Sequence, residues 1–354
     1  MVHLALSGNL VCALDGFTEL YDYRVIPQFP GTILYERVEM DLNRADQANL
    51  TLFKEIEQPV DQEEIQSKFA SAVALGSSGG ASVLPEYRSI GEFYENLKQG
   101  LATLSNRHLK HNPSHQFSPN DFNRQPEMAV IRNQEIAQSR LELIIEEGEG
   151  GPDVQESHYT IFSELSAKPA QWKMYNVRKN PNTEDYKGIG FPPDFAYVLS
   201  LAFDAGYCYL LQTIQRVWGR GGNDTFRHNH LVGNMLGIMK SVMPALADVL
   251  VHQPLSLPWK LTGQRPSAPP PSWPGNLPVD LRVDVAAPCF GYYPPLKDDG
   301  EPDTPLEPED LYAEFLRLVK DATAIARTFP YTQAYVQSLE DLAEAFEPLT
   351  PYPI

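Results

Sequence analysis

The sequence predicts an all-α protein, and three observations carry that reading. Long segments repeat apolar residues at helical spacing, Gly and Pro close them where a helix would stop, and the intervening stretches are proline-rich without periodicity. The main helical segments cover 2–14, 89–104, 133–149, 194–218, 226–252, 308–328 and 332–346. A chain of 354 residues can bury one large or two medium cores. No internal repeat is visible.

Residues 2–14 stop at Asp15-Gly16, a good helix end. This helix starts at residue 1 without a cap, which raises the expectation of a further segment upstream. Residues 21–35, with Pro27, Pro30 and Gly31, read as an extended loop. Asn43 then opens a short helix that carries Leu50, Phe53 and Ile56 on one side and is closed by Pro59. Residues 58–86 are polar, with a Gly/Ser run at 76–82, and read as a mobile insertion.

Ser89-Ile90-Gly91-Glu92 has the spacing of a capping box, and the helix it starts is expected to present Ile90, Phe93, Tyr94, Leu97, Leu101 and Leu104 as its buried side. Residues 168–193 are expected to cross the surface. Met235, Met239 and Met243 step by four as core filler, and Pro244 should kink or interrupt its helix. Residues 253–308, including PSAPPPSWP, read as a wrapping or linker strand.

Charge narrows the partners. With 46 acidic against 28 basic residues the net charge is −18, so no nucleic-acid partner is expected, because phosphate binding needs clustered Lys and Arg. Cys12, Cys208 and Cys289 are odd in number and far apart, which favours neither a disulfide framework nor a thiolate metal motif. Reduced cysteines point to a cytoplasmic protein. No run of 18 apolar residues occurs, so no membrane span is expected, and the first basic residue is Arg24, too late for a signal peptide.

The candidate site lies in LELIIEEGEGGPDVQESHYTIF, residues 141–162. Glu142, Glu146 and Glu149 follow at steps of four and three and share a face, while Gly148, Gly150, Gly151 and Pro152 end the helix there. Each exposed carboxylate at a helix C-terminus costs about 0.3–1 kcal/mol, and the acids repel one another. A bound cation would offset both costs; a solvated helix end running into a loop is the alternative. His158 returns nine residues after Glu149, and Glu with His on helices is the donor set of bundle-core di-metal sites. Glu92 and Glu95, three apart, can point the same way; otherwise Glu92 is a capping acid and Glu95 a solvent residue. His108, His111 and His115 lie in a polar loop where solvation is the commoner state, and His228 and His230, two apart, diverge.

In order and spacing, MVHLALSGNLVCALDG at the start, FKEIEQP at 53–59, SIGEFYENL at 89–97, LELIIEEGEG at 141–150 and SHYTIFSEL at 157–165 resemble the ferritin-like domain family of the iminophenylpyruvate dimer synthases, the violacein and rebeccamycin pathway type. AAPCFGYY at 286–293 extends the resemblance more weakly. It implies a ferritin-like four-helix-bundle core over 1–165 holding a carboxylate/histidine metal site, with C-terminal helices and the Pro-rich segment over 166–354 packed on it. It also implies His3, Glu92, Glu146, Glu149 and His158 as metal ligands, and iron, mono- or dinuclear, as cofactor; haem is the other cofactor that available His and Tyr permit.

The family's first helix, and the Glu that would precede Met1, have no counterpart here. A truncated start, a partner helix or second copy filling the gap, and a reduced site are the three accounts of that departure. Two functions follow. One is an iron-dependent oxidoreductase or oxidative coupling enzyme of secondary metabolism, acting on small amino-acid-derived imines or 2-oxo acids. The other is a non-catalytic ferritin-like scaffold or interaction protein with a degenerate metal site.

Overall fold

A computed structural model describes residues 2–15, 31–32, 39–58, 90–105, 108–109, 113–122, 128–148, 157–168, 174–190, 192–220, 225–255, 284–295, 306–329 and 332–351. The expected insertion from 59 onward, the Ser89 cap and the Pro-rich run 256–283 lie outside the described residues. The fold is all-α, with one two-residue antiparallel ladder, β1 (Gly31–Thr32) with β2 (Glu39–Met40).

Helix α1 (Val2–Asp15) ends where Asp15-Gly16 predicts. Ala5, Leu6 and Cys12 point into the largest hydrophobic cluster, and Leu10 and Ala13 into a smaller one. Gly8 permits a close crossing: a Cβ there would lie 2.3 Å from the indole of Trp218. Asn9, fully buried, binds the backbone of Phe117 in both directions, its amide donating to the carbonyl at 2.9 Å and its carbonyl accepting from the N–H at 2.7 Å. Gln116 does the same to Ile131, at 3.1 and 2.7 Å. Two buried amides thus satisfy irregular backbone that no helix partners.

Helix α2 (Gln47–Ile56) starts later than Asn43. Its cap is Asp46, whose carboxylate accepts from the Asn49 N–H at 3.1 Å, while Asn43 turns its side chain to the Arg44 N–H. Helices α3 (Ile90–Thr103) and α4 (Gln134–Gly148) pack together around Leu101, Ala137 and Leu141. Helix α5 (His158–Ala167) is capped by Ser157 and packs on α2, with Phe53 and Phe162 stacked at 5.2 Å and Lys54 over the Tyr159 ring.

The larger core belongs to the second half. Helix α6 (Phe195–Arg220) lies along α9 (Pro308–Thr328), and α10 (Val336–Phe346) closes over α9. Phe346 sits 4.0 Å, centroid to centroid, from Phe315, with Tyr209 and Tyr312 around it. Between α7 (Thr225–Gly237) and α8 (Met243–Val251) the helix widens into a π turn, Ile238–Val242. Pro244 is the cause: its ring and missing N–H are accommodated by the extra residue, so the helix continues instead of breaking. The stretch Phe226–Val251 is long and apolar enough to cross a membrane by length and composition. Yet Leu231, Met235, Ile238, Val242, Leu246 and Leu250 are buried against the core, so a membrane is not indicated.

The stretch 168–193, expected to cross the surface, is partly internal, and so is part of the wrapping strand after residue 253. Thr183 and Tyr186, in a 3-10 turn Thr183–Tyr186, are buried. The Tyr186 phenol accepts from the Ala287 N–H at 3.0 Å and donates to the Ala287 carbonyl at 3.1 Å. That pair holds residues 285–287 inside, and Val285 bridges to Val177 and Pro254. Bonds at this sequence separation leave no local signature in either stretch.

Candidate functional site

The acids and histidines of the first half settle into two groups. On α3, Glu95 is 2 % exposed, contrary to a solvent role. Its Oε2 lies 2.7 Å from the Lys98 ammonium, its Oε1 accepts from Gln99 at 3.0 Å, and Lys98 also reaches Glu142 of α4 at 2.9 Å. Both carboxylates raise the Lys98 pKa, against the burial that would lower it. The cation beside Glu142 is therefore a lysine, and it ties α3 to α4. The positive charge that the acidic helix end calls for comes, at this position, from the chain itself.

The second group joins α1, α2 and α5. The His3 and His158 rings lie 5.7 Å apart, centroid to centroid, at 51°. His158 Nδ1 is 3.5 Å from the Oε1 of Glu57, at the end of α2. Burial raises the Glu57 pKa, and the neighbouring imidazole partly reverses that. The Ser157 cap fixes where α5 starts and hence where His158 stands, and the α2–α5 packing brings Glu57 alongside. A carboxylate on Nδ1 orients an imidazole and raises the basicity of Nε2, the arrangement seen behind metal-bound histidines. The His158 side chain is 46 % exposed, so the ring is open to solutes.

The five expected ligands are thus divided. His3 and His158 come together; Glu92 is half-buried on α3; Glu146 is exposed on the last turn of α4; Glu149 lies outside the described residues. Among the described residues, no three His, Cys, Asp or Glu side chains converge as one bound ion would need. The pair fits iron in kind of donor, two imidazoles with a carboxylate behind one of them, and supplies part of a ligand set.

Glu57 was missed from sequence although FKEIEQP was singled out, since an acid near a helix end is commonplace. Three further histidines among the described residues hold structural contacts. His115 Nδ1 pairs with the Trp218 carbonyl at 2.8 Å, His230 Nε2 with the Thr350 carbonyl at 2.7 Å, and buried His228 lies 3.3 Å from Asp121. The three cysteines form no disulfide; burial pushes the Cys12 and Cys208 thiols up to about 12, so neither is a nucleophile at neutral pH.

The second half holds a buried polar chain that the sequence reading passed over. Asp204, fully buried on α6, accepts from the Thr183 hydroxyl at 2.5 Å and from the Gly291 N–H at 2.8 Å. Thr183 lies 2.8 Å from Ser200, Ser200 reaches Cys289 at 3.4 Å, and Cys289 the Ala287 carbonyl at 3.6 Å. Burial pushes the Asp204 pKa up to about 7, with the Thr183 and Gly291 bonds opposing. A lone Asp inside the apolar run LSLAFDAGYCYLL was the available clue.

Residues 1–167 match the family model described as Ferritin-like. The similarity accords with the all-α fold, in which His3, Glu57 and His158 stand on helices or at their ends. No curated protein and no solved structure matches the chain.

Proposed function

We propose that the ferritin-like region is an iron-dependent oxidoreductase centre in which His3 and His158 are ligands, Glu57 sets the tautomer and direction of His158, and Glu92, Glu146 and Glu149 furnish carboxylates. The observation that carries this is the meeting of His3, Glu57 and His158, more than 50 residues apart in each step, at the junction of three helices. Iron so held supplies one-electron chemistry and oxygen activation. The chain's own part is to present a half-exposed His158 to solutes and to set a largely buried carboxylate, Glu57, against its Nδ1.

The motif resemblance extends the reading to oxidative coupling of small amino-acid-derived imines or 2-oxo acids, in a reducing cytoplasm suited to three free cysteines. Metal analysis of protein purified without chelator tests it. Iron should be retained by the wild type and lost from His158→Ala, and Glu57→Gln should weaken binding about 10- to 100-fold. Less than about 0.2 iron per chain, unchanged by His158→Ala, would overturn it. A Soret band in the same preparation would assign the metal to haem instead.

A scaffold role is the second reading, favoured by the incomplete ligand set and by apolar side chains left exposed. Leu97 and Leu104 on α3, expected on its buried side, and Ile161 and Leu165 on α5 are each more than a third exposed. Rows at i, i+7 and i, i+4 are what an amphipathic partner helix would cover. A metal-free chain that gains helicity on adding such a peptide would favour this reading over the first.

A further inference from the structure

A cleft of about 290 Å³ opens between the two halves, and its lining includes neither His3 nor His158. Leu42 and Ala45 form one wall, Met174 and Val177 a second, and Pro288 and Phe290 a third. Its size is that of a small-molecule site, and its lining is mainly apolar. Arg44 and Arg178 also line it, an unusual gathering in a chain with net charge −18.

The walls are pinned. Asn180 accepts from the Leu42 N–H at 2.8 Å and donates its own N–H to the Leu42 carbonyl at 2.7 Å, and the Val285 N–H donates to the Asn176 carbonyl at 2.9 Å. Phe290 takes φ 54°, a left-handed backbone that bulky residues rarely adopt. It is held there by Asp204 on the next N–H and by edge contacts to Phe203 and Tyr207 at 5.1 and 5.0 Å. A strained aromatic fixed in a cleft wall is a feature that recurs at ligand sites.

Charge at the rim is uneven. Asp41 is held by Lys179 at 2.5 Å and by Asn180, and Asp46 by Arg44 at 3.1 Å and by the Asn49 N–H. Arg44 also donates to Asn176 at 3.1 Å. Asp284 accepts from Asn176 at 2.6 Å and lies 3.9 Å from Arg178 Nε, beyond hydrogen-bond length. Arg178 is thus the guanidinium least engaged among the described residues at the rim, and a guanidinium matches a carboxylate in planar geometry.

We propose that this cleft binds a small carboxylic acid with an aromatic or short aliphatic body, the carboxylate on Arg178 and the body against Met174, Val177 and Phe290. The inference does not rest on iron at His3 and His158. Calorimetric titration of the full chain with 3-phenylpropanoate and with 3-phenylpropanol, which lacks the charge, tests it. The acid should bind saturably and about 10- to 100-fold tighter than the alcohol, the range of one charged hydrogen-bonded contact. Arg178→Met should bring the acid to the level of the alcohol, and Ala45→Trp, which fills the cleft, should abolish both. Equal affinity for acid and alcohol in the wild type overturns the carboxylate assignment without needing either variant. Absence of saturable binding, or binding that Ala45→Trp leaves intact, overturns the site.

Discussion

The region that matches the Ferritin-like model and the region beyond it solve burial differently. In the second half, α6, α9 and α10 share one apolar cluster with fully buried Trp218, Tyr209, Phe315 and Phe346, and its polar atoms form a linked chain from Asp204 to Ala287. In the first half, α3 and α4 enclose a smaller cluster, their acids are answered by Lys98, and apolar side chains of α3 and α5 face solvent. Family resemblance and structural solidity therefore reside in different parts of one chain. The half that matches the Ferritin-like model has the looser interior among the described residues, and the half beyond residue 167 supplies most of the core.

That contrast can be broken by substitution. Trp218→Ala removes a fully buried indole at the meeting of α1 and α6 and should cost about 3–5 kcal/mol, read as a single cooperative loss in denaturant melts. If only the first half unfolded early, the shared core would be disproved. Next comes acidity. Asp204 ionises at about 7 folded against an ordinary 3.8, so between those values the folded chain holds more protons than the unfolded one, and stability falls as pH rises through that window. The wild type should lose on the order of 4 kcal/mol relative to Asp204→Asn from about pH 4 to pH 8. Parallel pH–stability curves for the two proteins would refute the assignment.

Gly8→Ala should cost about 1–3 kcal/mol through overpacking against the Trp218 ring, measured as a lower midpoint in urea. Smallest is Leu104→Ser on the exposed side of α3, where a change within about 0.5 kcal/mol is expected. A larger loss in the isolated chain would mean that this face is already covered.

Legibility in the sequence followed the range of the interaction. Helices with strong apolar periodicity and a Gly or Pro stop, such as α1, α4 and α9, were placed within a residue or two, because those signals are local. Met235 and Met243 are buried and Met239 packs on the core, as their spacing by four predicts. The site was only partly legible. His158 stood out by its spacing from Glu149 and His3 only by a resemblance, and their approach was not visible across the 154 positions between them. Glu57 behind His158, Lys98 between two carboxylates, and Asp204 beside Gly291 all depend on contacts between distant stretches. Burial of Glu95 reverses a natural expectation because a lysine one turn later follows it inside.

The crossing at Gly8 has a practical corollary. Because the opening helix lodges its one side-chain-free turn on an indole from the far half, cutting the polypeptide after residue 167 would strip Trp218 of its cover and leave each fragment with a raw apolar face. Expressing the family-matched portion alone should give aggregates, and co-expressing both pieces should restore a soluble complex.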